Sequence, residues 1–566
     1  MTKVLILLAI LPLAIACTKK GGRDRQPILA PNPAETVIGV TAEEENFQAG
    51  AGMDTDSALR PAVAYRRSSS TYDAIEVVRR TELGWGSPAL VSDDSSTGNV
   101  KTEPHVAVSR NNDYVHIFWN ETAGAALGIH YALFDTSNPP VRLVADTVIS
   151  TVVPANVPLG TVGAVTADTL TVTIDRTNSN VYVAWAQLVT AAGAAAADET
   201  VVVGAIAGGW GSYDEPVAML VPDTGATTAD VVATADPPIV LGVASAPAVG
   251  DGGTLHVLWT STTVTGGSST RRLRHRTRTA SATYSGPSPN GDEVSDVAGE
   301  NIRFARLLLA DDGDAYVAWA QTTPLPVKRV EGAYRPTGES SSFLSSAVLS
   351  PDPGSSPDEI VALRAFLGSG EIPHVFYKRA SGGSLRVYHQ GFSSNPASGW
   401  GGVSHAEAGF GPVTYGGSSA GTVFGHVDER GTVVLVWDAP RDAGGSSFDV
   451  FHALRASFGS FGASANLTDT ADDSRLDNLF SWWWGWAHVV VIEGPSTGAR
   501  EVMGLWYFSD GGFSGSVNRS ESFLTDSHGD GEPGQTSILG TDDGVTHLLF
   551  REHTGSTTHD LFYDHD

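Results

Sequence analysis

The sequence predicts an all-β fold built from one repeated hairpin unit. The clearest copy is LADDGDAYVAWAQ at residues 309–321, where an apolar strand, an Asp-Asp-Gly turn and a second strand end at Trp319. Such turn residues tolerate a positive φ, and the flanking residues pack well on a pleated surface. Sustained helical periodicity is absent from the 566-residue sequence.

Variants of this hairpin recur along the chain, and each ends at an aromatic or apolar residue that we call the anchor. The anchors are Tyr65, Trp119, Trp185, Trp259, Trp319, Tyr377, Trp437, Ile492 and Phe550, and those at 65 and 492 belong to weaker copies. Their spacing averages about 61 residues, which is typical of a radial repeat with about four short strands per unit. The repeat therefore predicts a single β-propeller.

We expect the propeller to span residues 57–566. A propeller grows by adding blades rather than by enlarging one core, so this length fits a single domain. Length and spacing predict about eight four-stranded blades, with seven or nine also compatible. The final unit ends just after its third strand, LFYDHD, which predicts that strands from both termini complete one blade.

The first 17 residues, MTKVLILLAILPLAIAC, have the pattern of a secretory signal, and Cys17 is the single cysteine of the chain. The segment resembles a bacterial lipoprotein signal, which implies that Cys17 is lipidated and becomes the mature N-terminus. An ordinary signal peptide with a chance cysteine is the alternative. Other apolar stretches are too short to span a bilayer, so the lipid would be the membrane anchor. If the cell is Gram-negative, Thr18 after the cysteine implies, by the same resemblance, sorting to the outer membrane or cell surface.

Residues 18–56 are expected to form a disordered tether. They begin TKKGGRDRQP and become acidic and glycine-rich through EEENFQAGAGMDTD. Low apolarity together with proline, glycine and charge favours disorder.

The net charge of −28 argues against nucleic-acid binding, which needs a basic surface. One local exception is RRLRHRTR at residues 271–278, in the third-strand position of its unit. Alternation along a strand places Arg272, Arg274 and Arg276 on one face. They are candidates for binding an anionic polymer or sugar, or else they pair with acidic neighbours on a solvated strand.

Two further candidate sites come from local composition. Trp482 and Trp484, in the densest aromatic cluster, could stack on sugars or could pack between blades. Asp526, Asp530 and Glu532 have oxygen-ligand spacing similar to that of a calcium loop, with a plain acidic turn as the alternative. Calcium is therefore the one cofactor that the sequence leaves open.

The order of inner strand, Asp/Gly turn, strand ending in Trp, third strand and Gly-Trp turn resembles the sialidase-like, Asp-box-type propellers of secreted bacterial proteins. The likeness covers nearly all of residues 57–566, but the box itself survives only as the degenerate copy SDGGF at residues 509–513. A sialidase-like hydrolase needs an arginine cluster, a carboxylic acid and an activated nucleophile. No acid–nucleophile pair stands out in the sequence, so we assign no catalytic residue.

Arg303, Arg306 and Arg364 fall on predicted inner strands of consecutive units. Arginine in an innermost strand is costly unless its charge is paired or solvated. They could form a cationic floor for carboxylated glycans, or they could pair with nearby Asp and Glu side chains.

These features predict an exported, lipid-anchored, monomeric propeller that recognises a glycan or a surface protein. Two alternatives remain, namely a sialidase-like glycoside hydrolase with degenerate motifs and a structural scaffold of an envelope complex.

Overall fold

The computed structural model describes nine antiparallel β-sheets, and none of the described residues is helical. The described residues are 35–38, 44–46, 51–93, 97–102, 104–123, 126–157, 159–166, 169–194, 197–206, 217–218, 230–232, 239–244, 253–265, 268–278, 284–285, 292–295, 301–310, 313–322, 328–336, 343–344, 346–350, 359–368, 372–381, 384–391, 404–408, 422–440, 447–455, 460–468, 472–481, 486–494, 501–509, 512–514, 517–518, 536–540, 545–553 and 559–565.

The strands of the first half of the chain are β1 (Glu35–Ile38), β2 (Glu44–Asn46), β3 (Met53–Thr55), β4 (Pro61–Ser68), β5 (Asp73–Thr81), β6 (Gly84–Trp85), β7 (Ala89–Leu90), β8 (Asn99–Lys101), β9 (His105–Ser109), β10 (Tyr114–Ala123), β11 (Ala126–Phe134), β12 (Arg142–Val148), β13 (Thr161–Val165), β14 (Thr171–Ile174), β15 (Val181–Thr190), β16 (Asp198–Ile206), β17 (Val217–Ala218), β18 (Asp230–Val232), β19 (Ile239–Ala244), β20 (Thr254–Thr265), β21 (Ser268–Arg278), β22 (Tyr284–Ser285) and β23 (Asp292–Glu293).

Those of the second half are β24 (Asn301–Leu309), β25 (Ala315–Thr322), β26 (Lys328–Arg335), β27 (Ala347–Val348), β28 (Glu359–Leu367), β29 (Pro373–Ser381), β30 (Ser384–Gly391), β31 (Ser404–Ala408), β32 (Val423–Val427), β33 (Val433–Pro440), β34 (Phe448–Arg455), β35 (Ala465–Asn466), β36 (Asp473–Ser481), β37 (Ala487–Gly494), β38 (Glu501–Phe508), β39 (Gly512–Phe513), β40 (Val517–Asn518), β41 (Ser537–Gly540), β42 (Thr546–His553) and β43 (His559–His565).

Each sheet is one blade of a β-propeller. Blades 1 to 8 consist of β2–β7, β8–β12, β13–β17, β18–β23, β24–β27, β28–β31, β32–β35 and β36–β40, and blade 9 consists of β41–β43 with β1. The inner strands of successive blades contact one another, and β41 of blade 9 contacts β3 of blade 1. The nine inner strands therefore form a closed ring around the propeller axis.

The predicted all-β propeller is confirmed, but the expected number of eight blades is corrected to nine. Nine anchors occur in the sequence, one in the second strand of every blade. Dividing the length of the predicted body by the mean spacing undercounts because the N-terminal strands were assigned to the tether. Strand β1 pairs with β43 as the fourth strand of blade 9, so the ring is closed by both ends of the described chain.

The described strands thus begin at residue 35, inside the 18–56 segment that was expected to be disordered. Strands β2 and β3 supply the inner part of blade 1 by pairing with β4. A short polar strand such as Glu44–Asn46 can join a sheet because the ladder is made by backbone groups, whatever the side chains are. Residues 1–34, including Cys17 and the predicted signal, lie outside the described residues.

The anchors lie in the core and include several of its largest side chains. All nine are at most 1% exposed, including the weaker copies Tyr65 and Ile492. The strands that carry them are buried on both faces, since each sheet packs between two neighbouring sheets. The anchors therefore occupy equivalent buried strand positions in successive blades.

In seven of the nine described blades, the ladder between the inner strand and the second strand is interrupted close to the anchor. Blades 1 to 4 have an inner strand in two pieces, such as β8 and β9 opposite Trp119. Blades 5, 6 and 8 have a one-residue bulge at the corresponding place. Bulges bend a strand and re-aim its side chains, and they are common beside functional sites.

No helix among the described residues is long and apolar enough to cross a membrane.

Candidate binding site on the inner strands of blades 5 and 6

The structure brings together the three arginines that the sequence placed on inner strands. Arg303 and Arg306 lie on β24 of blade 5, and Arg364 lies on β28 of blade 6. These two inner strands contact each other in the ring.

Arg306 and Arg364 occupy equivalent positions in their blades. Arg306 pairs with the residue before the anchor Trp319, and Arg364 pairs with the residue before the anchor Tyr377. Both side chains are partly buried. The guanidinium of Arg306 donates to the carbonyl of Ala305 at 2.9 Å, and that of Arg364 donates to the carbonyl of Leu363 at 3.2 Å. Neighbouring strands therefore carry two guanidiniums at the same level of the ring.

An aromatic ring of the next blade accompanies the second of these arginines. The guanidinium carbon of Arg364 lies 5.2 Å from the ring centre of Phe424, which is partly buried on β32 of blade 7. Phe424 pairs with the residue before the anchor Trp437, so it holds the same position in blade 7 as the two arginines hold in theirs. A cation over an aromatic face is attracted by the ring quadrupole.

Arg303 lies on the other side of the bulge in β24. Phe304, one of the two residues between Arg303 and Arg306, has a φ of 55°, a backbone conformation in which residues other than glycine are strained. Arg303 is exposed, and its Nη1 lies 3.7 Å from Oε1 of Glu359 on β28. Because both side chains are well exposed, this ion pair contributes little to stability. The arginine therefore belongs to the accessible part of the site.

The second arginine cluster lies on β21, the third strand of blade 4, as the sequence predicted. Arg272 forms an ion pair with Glu293, and Nε of Arg274 donates to Ser261 Oγ at 2.8 Å. Arg272, Arg274 and Arg276 alternate along the strand with the buried residues Leu273 and His275. Both contacts are made to residues of blade 4, so Arg272 and Arg274 connect strands of their own blade.

The remaining candidates cannot be placed. Trp482, Trp484, Asp526, Asp530, Glu532 and Cys17 all lie outside the described residues. Trp486, beside the aromatic cluster, packs edge-on against Phe508 with ring centres 5.8 Å apart.

A carboxylate–tyrosine pair of the kind that a sialidase-like hydrolase requires occurs in blade 1. The hydroxyls of Tyr65 and Tyr72 each donate to Glu76 at 2.7 Å, and Arg67 also contacts this carboxylate. Tyr65 is fully buried, and burial, followed by the charge of Glu76, raises the pKa of its phenol well above the usual value. A buried phenol that resists deprotonation is suited to joining strands rather than to nucleophilic attack.

Sequence analysis missed a repeated histidine three residues before the anchor. His116, His256, His374 and His547 occupy this position and are all buried. Each forms a hydrogen bond with an aromatic or imidazole group on the third strand of its blade, namely Tyr131 (3.1 Å), His275 (3.0 Å), His389 (2.9 Å) and Tyr563 (2.6 Å). The signal was present in the sequences HIFW, HVLW, HVFY and HLLF, but the partners are fixed only by strand register.

Comparison with solved structures gives matches at low identity. An ulvan lyase described as bound to -[GlcA(1-4)Rha3S]- is 11% identical, with 87% of this chain and 98% of that chain covered and a TM-score of 0.38. A leech intramolecular trans-sialidase is 10% identical, with 95% and 92% covered and a TM-score of 0.31. An α-L-arabinanase from Penicillium chrysogenum is 11% identical, with 62% and 94% covered and a TM-score of 0.28. No family model matches the chain, and no curated protein matches its sequence. We therefore interpret the site from its own residues.

Proposed function

We propose that this protein is a recognition propeller that binds carboxylated glycans at the inner strands of blades 5 and 6. The observation that carries the proposal is the equivalent placement of Arg306 and Arg364 on adjacent strands, with Arg303 exposed beside them. In a propeller, ligands usually bind where polar groups converge around the axis.

The chemistry of these side chains fits a carboxylated sugar. A guanidinium presents a planar fork of donors that matches a carboxylate, and hydrogen bonds to charged groups are stronger than neutral ones. The partly buried ring of Phe424 offers an apolar face next to Arg364, as sugar rings require for stacking. A carboxylate-rich surface of another protein would accept hydrogen bonds from the same guanidinium groups.

A glycan panel tests the proposal. Immobilised uronic-acid and sialic-acid glycans should capture the parent protein, whereas neutral glycans of similar length should not. Arg364→Gln should weaken capture because one charge-assisted contact is lost. Arg272→Gln, which changes an arginine on blade 4, is the matched control and should bind as the parent does. Loss of binding in the control alone, or no capture of the parent, would contradict the proposal.

We further propose that the protein is exported and held at the membrane by lipid on Cys17. The apolar segment ending in a cysteine supports this, and residues 1–34 precede the first described strand. Cys17→Ser should move the protein from the membrane fraction to the soluble fraction with an unchanged circular dichroism spectrum. A serine variant that stays in the membrane fraction would contradict lipid anchoring.

A further inference from the structure

A mixed cluster of one histidine and two carboxylates lies in blade 2, away from the arginine site. Glu121, His130 and Asp146 come from β10, β11 and β12, the second, third and fourth strands of the blade. Their candidate ligand atoms all lie within 4.8 Å of one another. Nδ1 of His130 is 2.6 Å from Oδ1 of Asp146 and 3.8 Å from Oε2 of Glu121.

The cluster is well shielded from water. The side chains of Glu121, Asp146 and His130 are 6%, 8% and 13% exposed. Two neighbouring carboxylates with so little exposure are costly unless positive charge compensates them. Lys101 supplies part of that charge, with Nζ 3.8 Å from Oε1 of Glu121. A divalent cation between the three side chains would compensate both carboxylates directly.

Surrounding groups hold the three side chains in place. Trp119 Nε1 donates to Glu121 Oε2 at 3.2 Å, and Asn99 Nδ2 donates to Glu121 Oε1 at 3.0 Å. The backbone N–H of Asp93 donates to Asp146 Oδ2 at 3.1 Å. Outer hydrogen bonds of this kind orient metal ligands and are a regular part of metal sites.

The histidine ring is also fixed by packing. Its centre lies 5.3 Å from the ring centre of the anchor Trp119, directly across the ladder. Gly128 lies beside it, where a Cβ would come within 3.2 Å of Val148 and 3.5 Å of His130 Nε2. The ring therefore presents Nδ1 to the two carboxylates from a restricted position.

We propose that Glu121, His130 and Asp146 bind one Zn²⁺ ion that ties together three strands of blade 2. One imidazole nitrogen and two carboxylate oxygens at about 2.0–2.2 Å from the ion would supply three of the four positions that zinc prefers, and water would complete the set. Three protein ligands are too few for Ca²⁺, which takes six to eight oxygens, and the imidazole favours a transition ion over Mg²⁺.

Titration calorimetry of the metal-free full chain with zinc chloride tests this site. The parent should bind one Zn²⁺ with high affinity, and excess Ca²⁺ should not displace it. His130→Gln and Asp146→Asn should each weaken Zn²⁺ binding at least about tenfold because each removes a ligand. His565→Gln, which changes a half-buried histidine of blade 9, is the control and should bind zinc as the parent does.

Two further measurements distinguish loss of metal binding from a folding defect. Zn²⁺ should raise the Tm of the parent and of the control but not of the two ligand variants, whose metal-free circular dichroism should match that of the parent. X-ray absorption of the zinc-loaded parent should show one imidazole with oxygen ligands. No tight Zn²⁺ site in the parent, parent-like Zn²⁺ binding in both ligand variants, displacement of the bound Zn²⁺ by Ca²⁺, or a spectrum with two or more imidazoles would overturn the proposal.

Discussion

At the scale of the residue, the anchor tryptophans do more than fill space. In blades 2, 3 and 5 the indole N–H donates to the side chain two residues further on, at Glu121, Gln187 and Gln321, with distances of 3.2, 2.9 and 2.8 Å. A buried indole needs such an acceptor, since an unpaired polar group in the core is costly. In the short pattern Trp-x-Glu/Gln, the indole thus packs in the core while its N–H donates to the side chain two residues further on.

Removing one anchor should therefore destabilise the ring substantially. Trp319 is fully buried, and Trp319→Ala leaves a cavity and removes the partner of Gln321. We expect a loss of about 3–5 kcal/mol in the free energy of unfolding, measured by urea denaturation. Leu143→Ala, at an exposed leucine of β12, should change it by no more than about 0.5 kcal/mol. Equal effects of the two changes would contradict the burial of the anchor.

The sequence predicted the anchors but could not predict the partners of the three arginines. Large apolar residues at a fixed period report burial by themselves, whereas a contact such as that of Arg364 with Phe424 depends on how two blades sit side by side. The bulge at Phe304 likewise depends on register between strands rather than on local composition.

At the scale of the element, the second and third strands of several blades are joined by buried imidazoles. Burial, and the nearby charge of Arg335, lower the pKa of His256 to about 3. Burial, with the charges of Arg455 and His426, lowers the pKa of His374 to about 4. Both imidazoles are therefore neutral in the folded protein near neutral pH.

These lowered pKa values predict that the free energy of unfolding falls as the pH is lowered. The unfolded chain binds protons near pH 6.5, so the stability contributed by each neutral imidazole is fully present above that pH. It declines as the pH falls from about 6.5 towards the folded values near 4 and 3.

Urea denaturation of the parent and of His374→Gln at several pH values between about 7 and 4 checks this. The urea concentration at the unfolding midpoint of the parent should fall as the pH is lowered. The midpoint of His374→Gln should fall less because one proton-binding group is removed. Leu143→Ala, which removes no titratable group, serves as the control and should show the pH profile of the parent. The same slope in His374→Gln and the parent would contradict the assignment.

Strand order within a blade was predictable because each hairpin repeats a turn and an anchor. The short strands β1 and β2 were not, since ETVI and EEN carry no extended apolar alternation. Such strands are specified by the unpaired edge of a neighbouring strand, here β43 and β4, and that edge exists only once β43 has paired with β42 and β4 with β5.

At the scale of the whole molecule, closure distinguishes this propeller from an open row of blades. Blade 9 combines the last three described strands with the first, and its inner strand contacts that of blade 1. Each sheet is then packed between two others, which explains why both alternating sets of residues are largely apolar in strands such as Ala315–Thr322. The sequence predicted about eight blades rather than nine because strands of low apolarity complete two of the blades.

Within the ring, Arg303, Arg306 and Arg364 lie on the adjacent inner strands of blades 5 and 6, and the proposed recognition of acidic glycans depends on that arrangement. The most direct test is the salt dependence of binding, measured by titration calorimetry with a uronic-acid oligosaccharide. In the parent, affinity should fall between about 50 and 300 mM salt as the guanidinium charges are screened. The double variant Arg306→Gln/Arg364→Gln should bind at least about tenfold more weakly with a flatter salt dependence. Parent-like affinity and salt dependence in the double variant would contradict the account.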